Sequence, residues 1–163
     1  MISVWLFLAS LSSLQVVDVH DGDTLVIKTS EGFEITGRLI GIDCPEKPSK
    51  ARKGRQAGAG QALASEARDR LKSLTSEPFE VKNYGKDVFK RSLIEIVRKA
   101  DKSLVNLTLV EEGLCQIYKK ARAKGFDLAP YREAEARARA KKKGVWGLST
   151  YEPPDVYRKK LSH

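Results

Sequence analysis

Two short stretches carry the side chains best suited to chemistry, Asp21-Gly22-Asp23-Thr24 and Arg38-Leu39-Ile40-Gly41-Ile42-Asp43-Cys44-Pro45-Glu46. Between them they hold Asp23, Asp43 and Glu46 as candidate working carboxylates, and Arg38. If a strand beginning at Thr24 pairs with one ending near Ile42, the start of the first lies beside the end of the second. These side chains then converge at one end of a sheet. Such a set suits a hard cation. Calcium takes carboxylate, backbone carbonyl and water oxygens, so Asp23, Asp43 and the carbonyl of Cys44 leave room for waters and phosphate oxygens. Hydrolysis of a phosphodiester also needs a positioned water, a base, and positive charge on the phosphoryl oxygens. Glu46 is the candidate base. Arg38 can give a phosphate two parallel hydrogen bonds, and Arg91, on a later strand, is the candidate for the second charge that a single metal leaves wanting. Taken singly, each residue has a plainer explanation: Asp21 and Asp23 as turn stabilisers, Arg38 and Arg91 as strand cations, Glu46 as a surface partner of Lys47 or Arg52. Their joint spacing points to a site.

Composition narrows the partner and excludes other chemistries. The chain has 163 residues, 41% hydrophobic and 31% charged, which is enough apolar material for one compact domain and excludes disorder throughout. His20 and His163 are the only histidines, and there are two cysteines, so multi-histidine metal centres and four-cysteine zinc sites are excluded. Metal chemistry would have to use carboxylates. A net charge of +9 favours a polyanionic partner, nucleic acid ahead of an anionic membrane. From Lys119 to Lys143, ten Lys and Arg stand against three Asp and Glu, either as a solvated helix face or as a surface that captures strands.

The elements that must position these residues begin after an apolar segment, 1–13, expected as a signal peptide or an N-terminal arm and too short to span a bilayer convincingly. Strands are expected at Leu14–Val19, Thr24–Ile27 and Phe33–Ile42, turned at Asp21-Gly22 and Ser30-Glu31-Gly32, with Gly37 and Gly41 allowing the third to bend. A basic loop, 46–55, leads to a helix over Gln61–Leu74, in which Ala64, Ala67, Leu71 and Leu74 recur at helical spacing. Two more strands, Phe79–Val81 and Val88–Val97, flank an expected turn at Asn83-Tyr84-Gly85-Lys86. A helix starting at Asp101 or Ser103 should end at Gly113, and another should run from Pro130 to about Lys143. Residues 14–148 form the expected domain, and 149–163, with Pro153-Pro154 and Arg158-Lys159-Lys160, the expected basic tail.

On the two opening motifs, with Asp87 to Arg91, Val105-Asn106, Leu109-Val110-Glu111-Glu112-Gly113-Leu114 and Gly144-Val145-Trp146, the chain resembles the staphylococcal nuclease, or thermonuclease-like, family. The resemblance implies an α+β fold, a five-stranded OB-type barrel with three helices. It further implies calcium held by Asp23, Asp43 and the Cys44 carbonyl, Glu46 as base or water positioner, Arg38 and Arg91 on phosphate, and cleavage of DNA and RNA with little sequence specificity. One departure falls at Phe89-Lys90-Arg91, where the family commonly has Tyr-Gly-Arg. A rival alignment through Tyr84-Gly85-Lys86 would put Lys86 in place of Arg91, and a lysine lacks the bidentate fork. Tyr84, Phe89, Lys90 and Tyr118 are candidate contacts to a single strand. Cys44 and Cys115 either pair, bracing the metal site of an exported protein, or are two buried thiols. The expected state is a monomer with no stable protein partner, secreted or periplasmic if residues 1–13 are a signal peptide, with membrane contact only if that segment is retained. The competing function is a catalytically weak or inactive OB-type nucleic-acid-binding module, separated from a nuclease at Glu46 and Arg91.

Overall fold

A computed structural model describes residues 14–121 and 123–162, so the apolar segment 1–13 lies outside the described residues. In chain order the elements are β1 (Gln15–Val19), β2 (Thr24–Lys28), β3 (Glu34–Leu39), β4 (Ile42–Asp43), α1 (Ala64–Leu74), β5 (Phe79–Lys86), β6 (Ser92–Arg98), α2 (Val105–Glu111), β7 (Gln116–Ile117), α3 (Ala129–Ala140), a 3-10 turn (Gly144–Gly147) and α4 (Pro154–Lys160). The first two turns form where the sequence places them. The His20 amide donates to the Thr24 carbonyl at 2.9 Å, and that of Gly32 to Thr29 at 3.0 Å. β2 and β3 pair antiparallel with Thr24 opposite Arg38, and β6 joins β3 in parallel with Leu93 opposite Arg38. This register fixes Arg38 in the middle of three strands and next to the residue that follows Asp23.

The expected closed barrel does not form. Among the described residues the five-stranded sheet runs β1-β2-β3-β6-β5 and is open between its ends, while β4 and β7 make a separate two-stranded pair. Residues 14–16 face 75–79 across a cleft of about 630 Å³ instead of hydrogen-bonding to them. Pro78, which precedes β5, has no N–H to offer a ladder there. Among the described residues there are four α-helices where three were expected.

The long third strand is also divided. It breaks at Ile40-Gly41, where Gly41 takes φ 87° and a Cβ would meet the Phe126 ring at 2.5 Å. Past that turn β4 leaves the large sheet to pair with β7, Asp43 opposite Gln116, which re-aims Asp43 away from the ladder that holds Arg38. The turn expected at Asn83–Lys86 is instead the end of β5, with a bulge between Asn83 and Lys86 and Gly85 at φ 105°. The chain reverses over Asp87–Lys90, where Asp87 Oδ1 accepts from the amides of Phe89 and Arg91, both at 2.9 Å.

One hydrophobic core joins the sheet to α1, α2 and α3 through Leu25, Leu39, Ile94, Leu71, Leu109 and Tyr131. Asn106, fully buried, ties that core to the sheet. Its amide donates to the carbonyls of Ile40 at 3.0 Å and Ile94 at 2.9 Å, and its oxygen accepts from the Ile96 amide at 3.2 Å. Replacing Asn106 with Ala strips three hydrogen bonds from buried groups and is expected to cost about 2–3 kcal/mol. A shift of the urea midpoint at unchanged slope would register it.

Candidate active site

Asp23, just before β2, is 2% exposed and Asp43, at the end of β4, is fully buried. Asp23 is oriented from three sides: its Oδ2 accepts from the Cys44 amide at 2.9 Å, its Oδ1 from the Thr24 hydroxyl at 3.2 Å, and Arg38 pairs with the same Oδ1. Arg38 Nη2 also reaches Asp43 Oδ1 at 3.0 Å, so one guanidinium bridges the two carboxylates. Burial pushes the Arg38 pKa below its ordinary value, Asp43 and Asp21 pull it back up, and the charge of Arg91 lowers it further. A second cation lies close by. Arg91 Nη1 lies 3.5 Å from the Thr24 hydroxyl, and its Nε and Nη2 bind Asp87 Oδ2 at 2.8 and 2.7 Å. Partial burial opposes ionisation of Asp87, but the hydrogen bonds from Arg91 hold its carboxyl below the usual range. Arg91 thus reaches the Thr24 hydroxyl, while Lys86, at the end of β5, is exposed.

Glu46 completes the cluster from the loop after β4. Its backbone is held at both ends by Gln61, whose Oε1 accepts from the Glu46 amide at 3.0 Å and whose amide donates to the Glu46 carbonyl at 2.8 Å. Its side chain is met by Arg158, a residue of the expected tail. Arg158 Nη1 donates to Glu46 Oε1 at 2.6 Å and to Asp43 Oδ1 at 2.9 Å, and Nη2 to Asp43 Oδ2 at 2.8 Å. Although burial opposes it, these hydrogen bonds and charges raise the Arg158 pKa above its ordinary value. Among the described residues the 149–162 stretch thus folds back, with α4 over Pro154–Lys160, instead of hanging free. Its helix signals were present in the sequence: Pro154 in the first turn, Asp155 near the N-terminus and Arg158-Lys159-Lys160 in the last turn.

Cys44 and Cys115 form a disulfide, which fastens the residue after Asp43 to the segment leading into β7. Among the described residues no three His, Cys, Asp or Glu side chains are grouped as ligands of one metal ion. The donor types nonetheless fit a hard cation, since two oriented, buried carboxylates lie next to the backbone of Cys44. The carboxylate oxygens are turned onto guanidinium groups.

The other expected contacts are spread over two faces. Phe89 and Lys90 sit at the exposed 87–90 turn, Phe89 75% exposed with the Arg91 guanidinium 5.4 Å from its ring centre. Tyr118 lies with Lys119, Lys120, Arg139 and Lys159 around a cleft of about 690 Å³ that opens onto Asp43. Tyr84 is half-buried and its hydroxyl is engaged by the protein. Its hydroxyl donates to Glu95 at 2.5 Å, as does that of buried Tyr131, and its ring meets the edge of Phe126 at 5.5 Å. The hydrogen bond to Glu95, with burial and the carboxylate charge, pushes the Tyr84 hydroxyl up from 10.0 to about 12. The native chain then keeps a proton that the unfolded chain begins to lose near pH 10, so this contribution to stability is intact below pH 10 and is lost as pH rises through about 12. Absorbance at 295 nm, compared between wild type and Tyr84→Phe, should give a difference titration centred near pH 12 and not near 10.

The fold and this cluster define a member of a nuclease-homologue family: a profile of staphylococcal nuclease homologues matches residues 36–147, and the chain belongs to that family. Among curated proteins it is 30% identical over 133 residues to a protein named probable endonuclease LCL3 from Eremothecium gossypii, covering 77% of this chain and 45% of that one. It is 31% identical over 138 residues to the LCL3 protein of Pyricularia oryzae, covering 80% and 51%, and 28% identical over 162 residues to endonuclease Htp3 of Saprolegnia parasitica, covering 88% and 74%. The chain therefore spans about half the length of the LCL3 relatives it matches.

Proposed function

We infer that this chain is a calcium-dependent nuclease that hydrolyses phosphodiester bonds of DNA and RNA with little sequence specificity. The observation that carries the reading is the convergence of Asp23, Asp43, Arg38 and Glu46, drawn from separate segments, with Arg91 beside them. Asp23, Asp43 and the Cys44 carbonyl would hold the cation, which when bound supplies positive charge next to a phosphoryl oxygen. Glu46, half-exposed and fixed through Gln61, accepts the proton of the attacking water. Arg38 and Arg91 present guanidinium forks to the phosphate as negative charge builds on its oxygens. Tyr118 with the lysines of the cleft, and Phe89 with Lys90 at the turn, give a strand stacking surfaces and backbone contacts that carry no sequence information. Single strands are the favoured substrate, the chain acts as a monomer, and export to an oxidising compartment is supported by the disulfide.

The test is to incubate the purified chain with single-stranded DNA and RNA under calcium, magnesium or chelator. Cleavage with calcium that chelator abolishes is the expected result. Binding without cleavage under every condition would leave a nucleic-acid-binding module in its place.

A further inference from the structure

Arg158 is the one described cation that reaches both the candidate metal ligand Asp43 and the candidate base Glu46, across sequence separations of 115 and 112 residues. It satisfies both oxygens of Asp43 and one of Glu46. The three carboxylates Asp23, Asp43 and Glu46 face Arg38 and Arg158, with Arg55 3.8 Å from the other Glu46 oxygen. Withdrawing Arg158 would leave buried Asp43 short of positive charge in the place where the donor types suit a divalent ion, a costly state unless another cation enters.

α4 has seven residues and adds none to the hydrophobic core. With Pro154 buried and Tyr151 edge-on to Trp146, polar contacts from α4 and its flanks reach the 46–61 segment. The Tyr157 hydroxyl accepts from the Gly60 amide at 2.8 Å, the Leu161 carbonyl from the Gln56 amide at 2.7 Å, and the Glu152 carbonyl from Gln61 Nε2 at 2.6 Å. Gln61 is the same side chain that accepts from the Glu46 amide, so one amide group touches both the strap and the loop of the candidate base.

We propose that α4 is an autoinhibitory strap whose Arg158 occupies the cation position, so that a divalent ion and Arg158 compete for Asp43. The proposal rests on the calcium reading above. A closed strap lowers the apparent affinity for the ion by the fraction of chains that are open, and opening it removes that handicap.

Calcium chloride titrated calorimetrically into the wild-type chain and Arg158→Ala measures the competition directly, with no substrate present. The variant should bind calcium about ten- to a hundredfold more tightly. Tyr157→Phe, which loosens the strap without touching a carboxylate, should tighten binding by a smaller factor and decides the matter if Arg158→Ala does not fold. In the wild type, calcium should also speed cleavage after Lys159 and Lys160 by lysyl endopeptidase. Equal or weaker calcium binding in the variants overturns the competition while leaving the metal reading standing. No calcium binding by any of the chains overturns the metal reading and the strap with it.

Discussion

Glu46→Gln is expected to lower turnover on single-stranded DNA and RNA by about 10²–10⁴-fold while strand affinity changes little, because the substitution removes the proposed base and keeps the shape. The glutamine oxygen can still accept from Arg158, and the backbone stays clamped to Gln61 at both its amide and its carbonyl. Folding and the candidate phosphate-binding arginines are thereby preserved. Only the capacity to take a proton from water is lost. Single-turnover cleavage and equilibrium binding, measured on the same oligonucleotide, separate the two effects. Parallel losses in both would mean that Glu46 merely shapes a strand-binding surface, and would favour the nucleic-acid-binding module.

Reduction of the disulfide should produce the largest loss of stability. Cys44 and Cys115 are separated by 71 residues, and a closed loop of that length restrains the unfolded chain by about 4 kcal/mol. Both cysteines are buried and belong to the core that holds Leu71 and Leu109. Urea unfolding with and without reductant, or with the double variant Cys44→Ala/Cys115→Ala, measures the difference. Loss of the link should also weaken the site before the fold yields, since it fixes the residue next to Asp43. A change below 1 kcal/mol would mean that packing alone holds β4 to β7.

Much of this arrangement is legible in the chain because its signals are local. Asp21-Gly22 and Ser30-Glu31-Gly32 make their turns, and the three- and four-residue spacing of Ala64, Ala67, Leu71 and Leu74 gives the buried face of α1. Gathering Asp23 and Arg38 required only that β2 and β3 pair, and they do, whereas Asp43 is placed by the break at Gly41 and the pairing of β4 with β7. What misled was chemistry shared by two conformations. Asn83 and Gly85 suit a bulge as well as a turn, and the deciding group is the Asp87 carboxylate, which caps the amides of Phe89 and Arg91. Closure of the sheet depends on whether its first and last strands meet, and no local pattern reports on that. Pro153-Pro154 reads as the end of packing, yet the second proline opens α4. The partners of Arg158 lie more than a hundred residues upstream, beyond any spacing rule.

The Cys44–Cys115 link also changes what a cut in the chain would do. The exposed basic loop, with Lys47, Lys50, Arg52 and Lys53, lies inside the ring that the disulfide closes. A trypsin-like protease that nicks this loop leaves two pieces tied covalently, with Asp23, Arg38 and Asp43 on one and Arg91 and Arg158 on the other. Such a molecule would run as one band until reductant is added, and its two halves would stay at each other's side. In a protease-rich surrounding, the bond acts as insurance against scission in this exposed loop.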